Sequence, residues 1–303
     1  MVEESEVHAP MMGGTVSIVV AHSTDERADV ARVLAGGIGR MQRWAARLTR
    51  FDEDSELSRL NREADAPRSR LSPTLASVMT CAGELHDTSG GLVDIGMLEA
   101  RLSVEGSGPA DTASVRGRWW IEHTYGGPWV RRNGHVAFDL DGIAKGWMAD
   151  RALASLARYP AAIVDADGDI ACRDDIGVGW DVAVADPRDD TREVAAISVA
   201  RAVGQGPIGI ATSGTTRHRW SDSGSGRHHI LDPSTRRPSH GDVIQATVVA
   251  RSAGMAEGLA KVAVIGGGMP APSAVLEHGH AAILCLGDGH IRTAPGTRRW
   301  LAA

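Results

Sequence analysis

The spacing of apolar positions along this chain predicts strands and helices in alternation. Residues 14–21 are rich in β-branched side chains and begin at a glycine, which predicts a strand. Thr24 or Asp25 can then cap a helix, because apolar residues recur at helical spacing from Val30 to Leu48. This helix is expected to pack one face on a sheet.

A second helix is predicted to begin at Ser72–Pro73 and to end at Gly90–Gly91. A serine cap, a proline in the first turn and a terminal glycine are the usual boundary signals of a helix. Between Leu102 and Arg118 the chain is rich in Gly, Ser and Pro, which predicts a connecting loop. Residues 221–226, with the sequence SDSGSG, predict a hairpin tip.

The remaining pattern predicts further strands and two more helices. The helices are expected at about 143–157 and 253–265, and a last strand pair around 281–293 turns at Gly287-Asp288-Gly289. The other strands are expected at 135–140, 161–165, 180–185, 196–201, 207–211 and 244–250. We therefore expect an α/β or α+β fold with mixed sheets flanked by helices; periodicity leaves the strand order open.

Composition narrows the functional classes. The chain has 303 residues, a net charge of −6 and 43% hydrophobic residues, which describes a soluble protein with an ample core. Nearly balanced charge argues against nucleic-acid binding. Three cysteines far apart argue against a disulfide framework or a thiolate zinc site. An acidic N-terminus and the lack of a long apolar run predict a cytoplasmic protein without membrane insertion.

Lysine is rare here, since only two of the 32 basic residues are lysines, Lys145 and Lys261. A chain that uses arginine wherever a surface cation suffices keeps lysine mainly where a compact charge is needed. The alternative is that both are ordinary surface residues.

The first chemical candidate is the segment 139–146, DLDGIAKG, where a predicted strand meets a glycine turn and a helix. Exposed N–H groups and the helix dipole at such a point attract phosphate, and Lys145 adds a mobile positive charge. This predicts a diphosphate site. The segment is neither a Walker loop nor GxGxxG, so an ordinary strand-to-helix turn is the alternative.

Aspartates at alternate positions from Asp165 to Asp169 are a second candidate. A calcium loop would need glycine at its sixth position and glutamate at its twelfth, where this chain has Ile170 and Ile176. A turn with hydrogen-bonding carboxylates is therefore favoured.

The segment Thr212-Ser213-Gly214 can present hydroxyl groups to a ligand. His228 and His229 lie close to Asp232-Pro233, and neighbouring residues of a strand point to opposite faces. At most one of the two histidines can therefore serve a given site.

Glu257 and Lys261 are four residues apart and share one helix face. An exposed ion pair at this spacing contributes only a few tenths of a kcal/mol. The flanking residues are apolar, however, so the helix is expected to be covered and the lysine to need a partner.

Taken together, these segments resemble the flavin transferase family called ApbE, whose members are FAD:protein FMN transferases. The likeness runs from Met12 to about Gly289, in the order found in that family. Its pieces are Met12–Thr15, Arg50–Asn61, Gly90–Asp94, the segment 139–146 with Asp150, Asp165–Asp169, Thr212–Gly214, His229–Pro233 and Ala256–Lys261.

The resemblance implies a T-fold-like architecture in which residues 1–303 form a single domain of two lobes, with FAD in the groove between them. It implies that Phe51 stacks on the isoalloxazine and that the 139–146 turn lies by the diphosphate. The residues it assigns to FAD binding are Met12, Phe51, Ser55, Asn61, Asp94, Gly142, Ala144, Lys145, Asp150, Asp169, Thr212, Ser213 and Asp232.

The resemblance further implies transfer of FMN from FAD to a threonine or serine hydroxyl of an acceptor flavoprotein or domain, with release of AMP. The catalytic residues expected are Lys145, His229, Glu257 and Lys261. Metal and lysine charge would stabilise the negative charge that develops on the phosphate, and His229 or a carboxylate would take the hydroxyl proton.

This chain differs from the family at the ligands of a magnesium ion. In the family that ion is held by a backbone carbonyl matching Ala144 and by an Asp and a Thr on the late helix. This chain has Glu257 and Lys261 there. Glutamate can still bind magnesium, but a charged ammonium repels a divalent cation and would supply part of its charge instead. Two alternatives stay open: a protein that binds FAD without cleaving it, and a divergent enzyme that uses Lys261 as base or nucleophile.

Overall fold

A computed structural model describes residues 2–108, 117–216, 219–220, 227–267 and 273–302. These residues form seven helices: α1 (Arg27–Leu48), α2 (Glu56–Arg62), α3 (Pro73–Thr88), α4 (Leu98–Glu105), α5 (Ala144–Ala154), α6 (Ala253–Gly266) and α7 (Ser273–His278).

The first strands are β1 (Val2–Met11), β2 (Gly14–Ser23), β3 (Arg68–Arg70), β4 (Arg118–Thr124), β5 (Gly127–Asn133), β6 (Ala161–Ala166), β7 (Asp169–Asp174), β8 (Asp181–Asp186) and β9 (Asp189–Ser198). The later strands are β10 (Ile208–Gly214), β11 (Arg219–Trp220), β12 (Arg227–His228), β13 (Leu231–Asp232), β14 (Arg237–Pro238), β15 (Val243–Ala250), β16 (Gly279–Leu286) and β17 (Ile291–Thr293).

One eight-stranded sheet, in the order β1-β2-β6-β7-β10-β15-β16-β17, organises the fold. A three-stranded sheet, β3-β5-β4, and the pairs β8-β9, β11-β12 and β13-β14 complete it. Every strand pair among the described residues is antiparallel. The fold is therefore α+β, and the expectation of mixed sheets is corrected to antiparallel ones.

Two hydrophobic cores lie on opposite faces of the large sheet. Helices α1, α5 and α6 pack on one face, and α3 packs against α5 and α6 from outside. The β8-β9 hairpin covers part of the other face. Strand β7 contributes to both cores, because Ala171 points to the helices while Ile170 and Cys172 point to the hairpin side.

The predicted helix boundaries follow from local chemistry. The apolar stripe from Val30 to Leu48 is buried in α1, as its periodicity predicts. In α3 the Ser72 hydroxyl accepts a hydrogen bond from the Leu75 N–H at 3.2 Å, and Pro73 occupies the first turn.

One loop prediction is partly wrong. The expected loop from Leu102 to Arg118 begins inside α4, which ends at Glu105 before the left-handed Gly106. Residues 109–116 of this expected loop, and the expected hairpin tip at 221–226, lie outside the described residues.

The strand expected at 135–140 is not formed, because this segment joins no sheet. Its backbone groups pair one at a time with separate partners. The Val136 N–H donates to the Ala64 carbonyl at 3.1 Å and the Asp139 N–H to the Ile95 carbonyl at 2.8 Å. An apolar run thus predicted burial correctly but could not show that a strand partner was missing.

The other predicted elements are present with shifted ends. The helix expected at 143–157 is α5, at 144–154. Of the strand expected at 196–201, only 196–198 belong to β9, because Val199–Ala202 form a 3-10 helix. No helix in the described part of the chain is long and apolar enough to cross a membrane.

Candidate active site

The turn at residues 139–146 leads an extended segment into the first turn of α5. The Asp141 N–H donates to Asp139 Oδ1 at 3.0 Å, which tightens the turn. Gly142 has a φ of +104°, a left-handed conformation that glycine adopts without strain. The N–H groups of Ile143 and Ala144 donate to the Leu140 carbonyl at 3.2 and 3.1 Å, so the helix start offers an anion mainly the positive end of its dipole and the Lys145 charge. The turn and helix are those predicted from sequence, and phosphate as their ligand stays a prediction.

Helix α6 lies against this turn and holds it through two charged side chains. Glu257 is 3% exposed, and its Oε2 accepts a hydrogen bond from the Gly146 N–H at 2.9 Å. The Lys261 Nζ donates to the Asp141 carbonyl at 2.7 Å. This confirms the prediction of a covered helix whose lysine has a partner.

The aspartate cluster forms the tight turn between β6 and β7. Asp165 Oδ1 accepts a hydrogen bond from the Gly168 N–H at 2.7 Å, as expected for a carboxylate-stabilised turn rather than a calcium loop. The Lys145 Nζ lies 3.4 Å from Asp167 Oδ2 and 3.6 Å from Asp169 Oδ2. The β6-β7 turn therefore faces the start of α5.

Burial and neighbouring charges shift the pKa values of the acidic groups in opposite directions. Burial raises the pKa of Asp169, and the Glu257 carboxylate raises it further. Burial also raises the pKa of Glu257, although the two lysine charges oppose this shift. Burial alone would raise the pKa of Asp141, but the Lys261 and Arg101 cations outweigh it and lower that pKa. Asp141 therefore stays ionised, while Asp169 and Glu257 take up a proton more readily.

These elements enclose a groove made of two adjoining pockets, which share a wall formed by Asp141, Gly142, His229 and Lys261. The more apolar pocket, called the apolar pocket below, is lined further by Leu92, Val93, Ile95, Met97, Ile230, Leu231, Pro233 and Ile265, and also by the charged Asp94, Arg101 and Asp139. The polar pocket is lined further by residues that include Lys145, Asp167, Asp169, Thr212, Ser213, Thr216, Gln245 and Glu257. The groove thus suits a ligand with an apolar end, a polar end and a charged centre.

Nine of the residues predicted to bind or act on the ligand line this groove: Asp94, Gly142, Lys145, Asp169, Thr212, Ser213, His229, Glu257 and Lys261. Only one of the two neighbouring histidines is among them, since His228 is buried with its Nε2 3.0 Å from the Ser239 carbonyl. Asp94 accepts hydrogen bonds from the Trp119 Nε1 at 3.2 Å and the Gly96 N–H at 2.8 Å.

The other predicted site residues lie outside the lining of both pockets: Met12, Phe51, Ser55, Asn61, Ala144, Asp150 and Asp232. The Asn61 amide bonds both backbone groups of Phe138, at 2.7 and 2.8 Å, and so fixes the segment that leads into the turn. Asp150 binds the N–H groups of Ala253 and Gly254 at 2.8 and 3.0 Å and caps α6.

The five other predicted residues lie at turns or helix starts. Phe51 is 83% exposed with the Arg50 guanidinium 4.3 Å from its ring centre, and Met12 is 40% exposed in the β1-β2 turn. Ser55 caps α2, accepting from the Ser58 N–H at 2.9 Å. Asp232 Oδ1 accepts from the Ser234 N–H at 2.8 Å. The buried Ala144 begins α5.

Sequence reasoning missed Arg101, Asp139 and Asp141 as site residues. Asp139 and Asp141 lie inside the predicted turn, but the pattern did not show that their side chains face the groove. The Arg101 Nη2 lies 3.1 Å from Asp141 Oδ2, and its Nε lies 2.6 Å from Glu105 Oε1. The spacing of Arg101 and Glu105, one helical turn apart, was the available signal.

The side chains around the turn do not fit the magnesium site that the resemblance implies. No group of three or more His, Cys, Asp or Glu in the described ranges could hold a metal ion. Lys261 fills the space over Gly142, because a Cβ built on that glycine would lie 1.3 Å from Nζ. The ammonium thus stands beside the turn where a divalent cation would have to bind.

Known proteins resemble this chain in sequence along most of its length. The chain is 28% identical to the FAD:protein FMN transferase of Vibrio cholerae over 280 residues, covering 85% of this chain and 80% of that protein. It is 26% identical to the enzyme of the same name from Salmonella typhimurium over 281 residues, covering 84% and 75%.

Among solved structures, the ApbE protein from Thermotoga maritima superposes with a TM-score of 0.83 at 22% identity, covering 99% of this chain and 100% of that one. The flavin transferase ApbE from Vibrio cholerae superposes with a TM-score of 0.75 at 23% identity, with the same coverage. At these identities the superpositions establish the fold. The ApbE family model matches residues 12–284, and the chain therefore belongs to the ApbE family.

Proposed function

We propose that this protein is an FAD:protein FMN transferase that moves FMN from FAD to a threonine or serine hydroxyl of an acceptor flavoprotein or domain. The acceptor oxygen attacks the FMN phosphorus, the bond from that phosphorus to the bridging oxygen breaks, and AMP leaves with the bridging oxygen. The hydroxyl proton passes to a base. Curated relatives with this activity in their names support the proposal.

The observation that carries the proposal is the shared wall between the two pockets. A flavin ring requires apolar surface, a ribose and adenine require polar partners, and the diphosphate between them requires positive charge. The groove has the apolar pocket at one end, the polar pocket at the other and the charged wall between them. Lys261 lies on this shared wall, and Lys145 lies in the first turn of α5.

Charge at the start of α5 supports a role in phosphoryl transfer. Burial alone would lower the pKa of Lys145, but the carboxylates of Asp169 and Glu257 raise it, so the ammonium stays charged at neutral pH. A fixed ammonium next to a helix N-terminus stabilises the negative charge that develops as the phosphate bond breaks.

His229 is the base that the geometry favours. It is partly buried and lines both pockets, at the wall where the diphosphate would sit. Its carbonyl accepts a hydrogen bond from the Arg101 Nη1 at 3.0 Å, which fixes the backbone that carries the ring. An unprotonated imidazole can accept the hydroxyl proton.

The test is to incubate the purified protein with FAD and an acceptor domain that carries a threonine in a Ser/Thr-Gly-Ala-like segment, with and without magnesium. Intact-mass analysis should show the acceptor heavier by FMN less one water, and chromatography should show an equal amount of AMP. A Thr→Val acceptor is the matched control and should remain unmodified.

Two results would contradict the proposal. Intact FAD bound to the protein would indicate a flavin carrier, and AMP without a modified acceptor would indicate a hydrolase.

A further inference from the structure

The two ammonium groups of the groove are held in different ways. Lys145 is paired with Asp167 and Asp169, at 3.4 and 3.6 Å. Within the described part of the chain, Lys261 makes one hydrogen bond, to the neutral Asp141 carbonyl, and no carboxylate lies within 4 Å of its Nζ. An ammonium has three N–H donors, so two donors of Lys261 are available to a ligand.

The position of Lys261 is fixed by the fold. Its aliphatic stem passes over Gly142, where a Cβ would lie 3.0 Å from Cδ and 2.3 Å from Cε. Helix α6 behind it is buried along its length, and Glu257 anchors the same helix to α5 through the Gly146 N–H. The charge therefore stands on the shared wall in the absence of any ligand.

We propose that the Lys261 ammonium takes the place of the divalent cation at the FAD diphosphate, so that this protein binds FAD without a metal. The inference rests on the proposed function, because it assumes that FAD is the ligand of the groove. An ammonium that donates two hydrogen bonds neutralises phosphate oxygens as a metal ion does, but it belongs to the chain and cannot be removed by a chelator.

The electrostatics of the wall are consistent with this role. Lys261 is the largest favourable charge acting on Asp141 and also acts on Asp169 and Glu257. These carboxylates balance the ammonium in the free protein without pairing with it directly. A magnesium ion beside the same ammonium would meet repulsion at a distance of a few ångströms.

The decisive measurement is the affinity for FAD, which is determined from the quenching of flavin fluorescence. It is measured in buffer containing EDTA and in buffer containing millimolar magnesium. The wild-type dissociation constant should agree between the two buffers to within about twofold. Lys261→Met removes the charge from a side chain of similar length and should weaken binding in EDTA about 10- to 100-fold, the effect of one charge-assisted hydrogen bond.

Lys261→Thr introduces a hydroxyl that can ligate a metal in a wall that retains Glu257 and Asp169. Its FAD affinity should rise at least about tenfold when magnesium is added. Binding of Mn²⁺ in the absence of FAD is a second readout, since the bound ion loses the electron paramagnetic resonance signal of the free ion. The signal should be unchanged with the wild-type protein and should decrease with Lys261→Thr. Arg151→Met removes an exposed cation on α5 and is the control that should match wild type throughout.

Each outcome decides between the alternatives. Wild-type protein that binds FAD only with magnesium, or a Lys261→Met variant that binds FAD normally in EDTA, overturns the metal replacement while leaving the transferase function intact. Wild-type protein that binds FAD in neither buffer overturns the proposed function as well. The comparison of buffers uses the wild-type chain alone, so it stands even if a variant fails to fold.

Discussion

Arg101 connects three segments of the apolar pocket through its guanidinium group. It lies 3.1 Å from Asp141 Oδ2, 2.6 Å from Glu105 Oε1 and 3.0 Å from the His229 carbonyl. Its side chain is only 11% exposed, so these charge-assisted bonds are little screened by solvent. Arg101 therefore positions both the turn at Asp141 and the backbone of His229.

Replacing Arg101 by methionine should weaken FAD binding about tenfold and lower the free energy of unfolding by about 3 kcal/mol, because partly buried carboxylates lose their cation. Flavin fluorescence titration and urea unfolding measure the two effects. Arg158→Met is the control, since Arg158 is 46% exposed and its pairs with Glu26 and Asp29 are 3.6 and 3.9 Å long. An Arg101→Met protein with wild-type FAD affinity would show that Arg101 serves stability alone.

At the residue scale, sequence could identify Lys145, Lys261 and the 139–146 turn, since rare residue types and cap chemistry are local signals. It could not show that Lys261 bonds the Asp141 carbonyl, because that contact joins residues 120 positions apart in the chain. Asp150 illustrates the same limit. Its position in the family motif predicts ligand binding, whereas its carboxylate caps α6.

At the scale of elements, the close approach of α5 and α6 places the charged side chains around the turn. A Cβ on Gly146 would lie 2.7 Å from the backbone of Ala253, so the two helices meet there without an intervening side chain. The Gly146 N–H also donates to Glu257. This glycine is required for packing and not for a left-handed conformation.

Gly146→Ala should destabilise the protein by about 1–3 kcal/mol, because the helices must separate, even though alanine favours helix more than glycine does. Gly36→Ala is the matched control in α1, where the glycine is exposed and the nearest atom to an added Cβ is the flexible end of Arg40 at 3.9 Å. That change should stabilise by about 0.5–1 kcal/mol. Urea unfolding of both variants measures the difference, and equal effects would contradict close packing at Gly146.

Elements that bury apolar side chains could be predicted from the sequence, and exposed elements could not. Helices α1, α3 and α6 were predicted because each buries an apolar stripe or is apolar along its length. Strand β1 was not predicted, since half of the residues in its sequence VEESEVHAPM are polar and every second position is exposed on this edge strand of the large sheet. The segment 135–140 was predicted as a strand because periodicity reports burial and does not report hydrogen-bond partners.

At the scale of the whole molecule, the groove is assembled from segments far apart in the chain. Its lining runs from Leu92 to Ile265, and the larger hydrophobic core extends from Ala9 to Leu286. The second core shares strands of the same sheet. Sequence alone gave no register for these strands, so it could not show which of the segments meet at one end of the sheet.

Two cores that share the strands of one sheet predict that residues 1–303 unfold as one domain, with the ligand groove stable only when the whole fold is formed. Calorimetry should show a single transition whose van't Hoff and calorimetric enthalpies agree, at about 200 kcal/mol for a chain of this length. FAD at about 100 times its dissociation constant should add about 2.7 kcal/mol and shift that transition upward by about 4 °C. AMP, which lacks the flavin end of the ligand, is the control and should give a smaller shift at the same concentration. Two resolved transitions, of which FAD moves only one, would contradict the single domain and would place the groove in a part of the chain that folds separately.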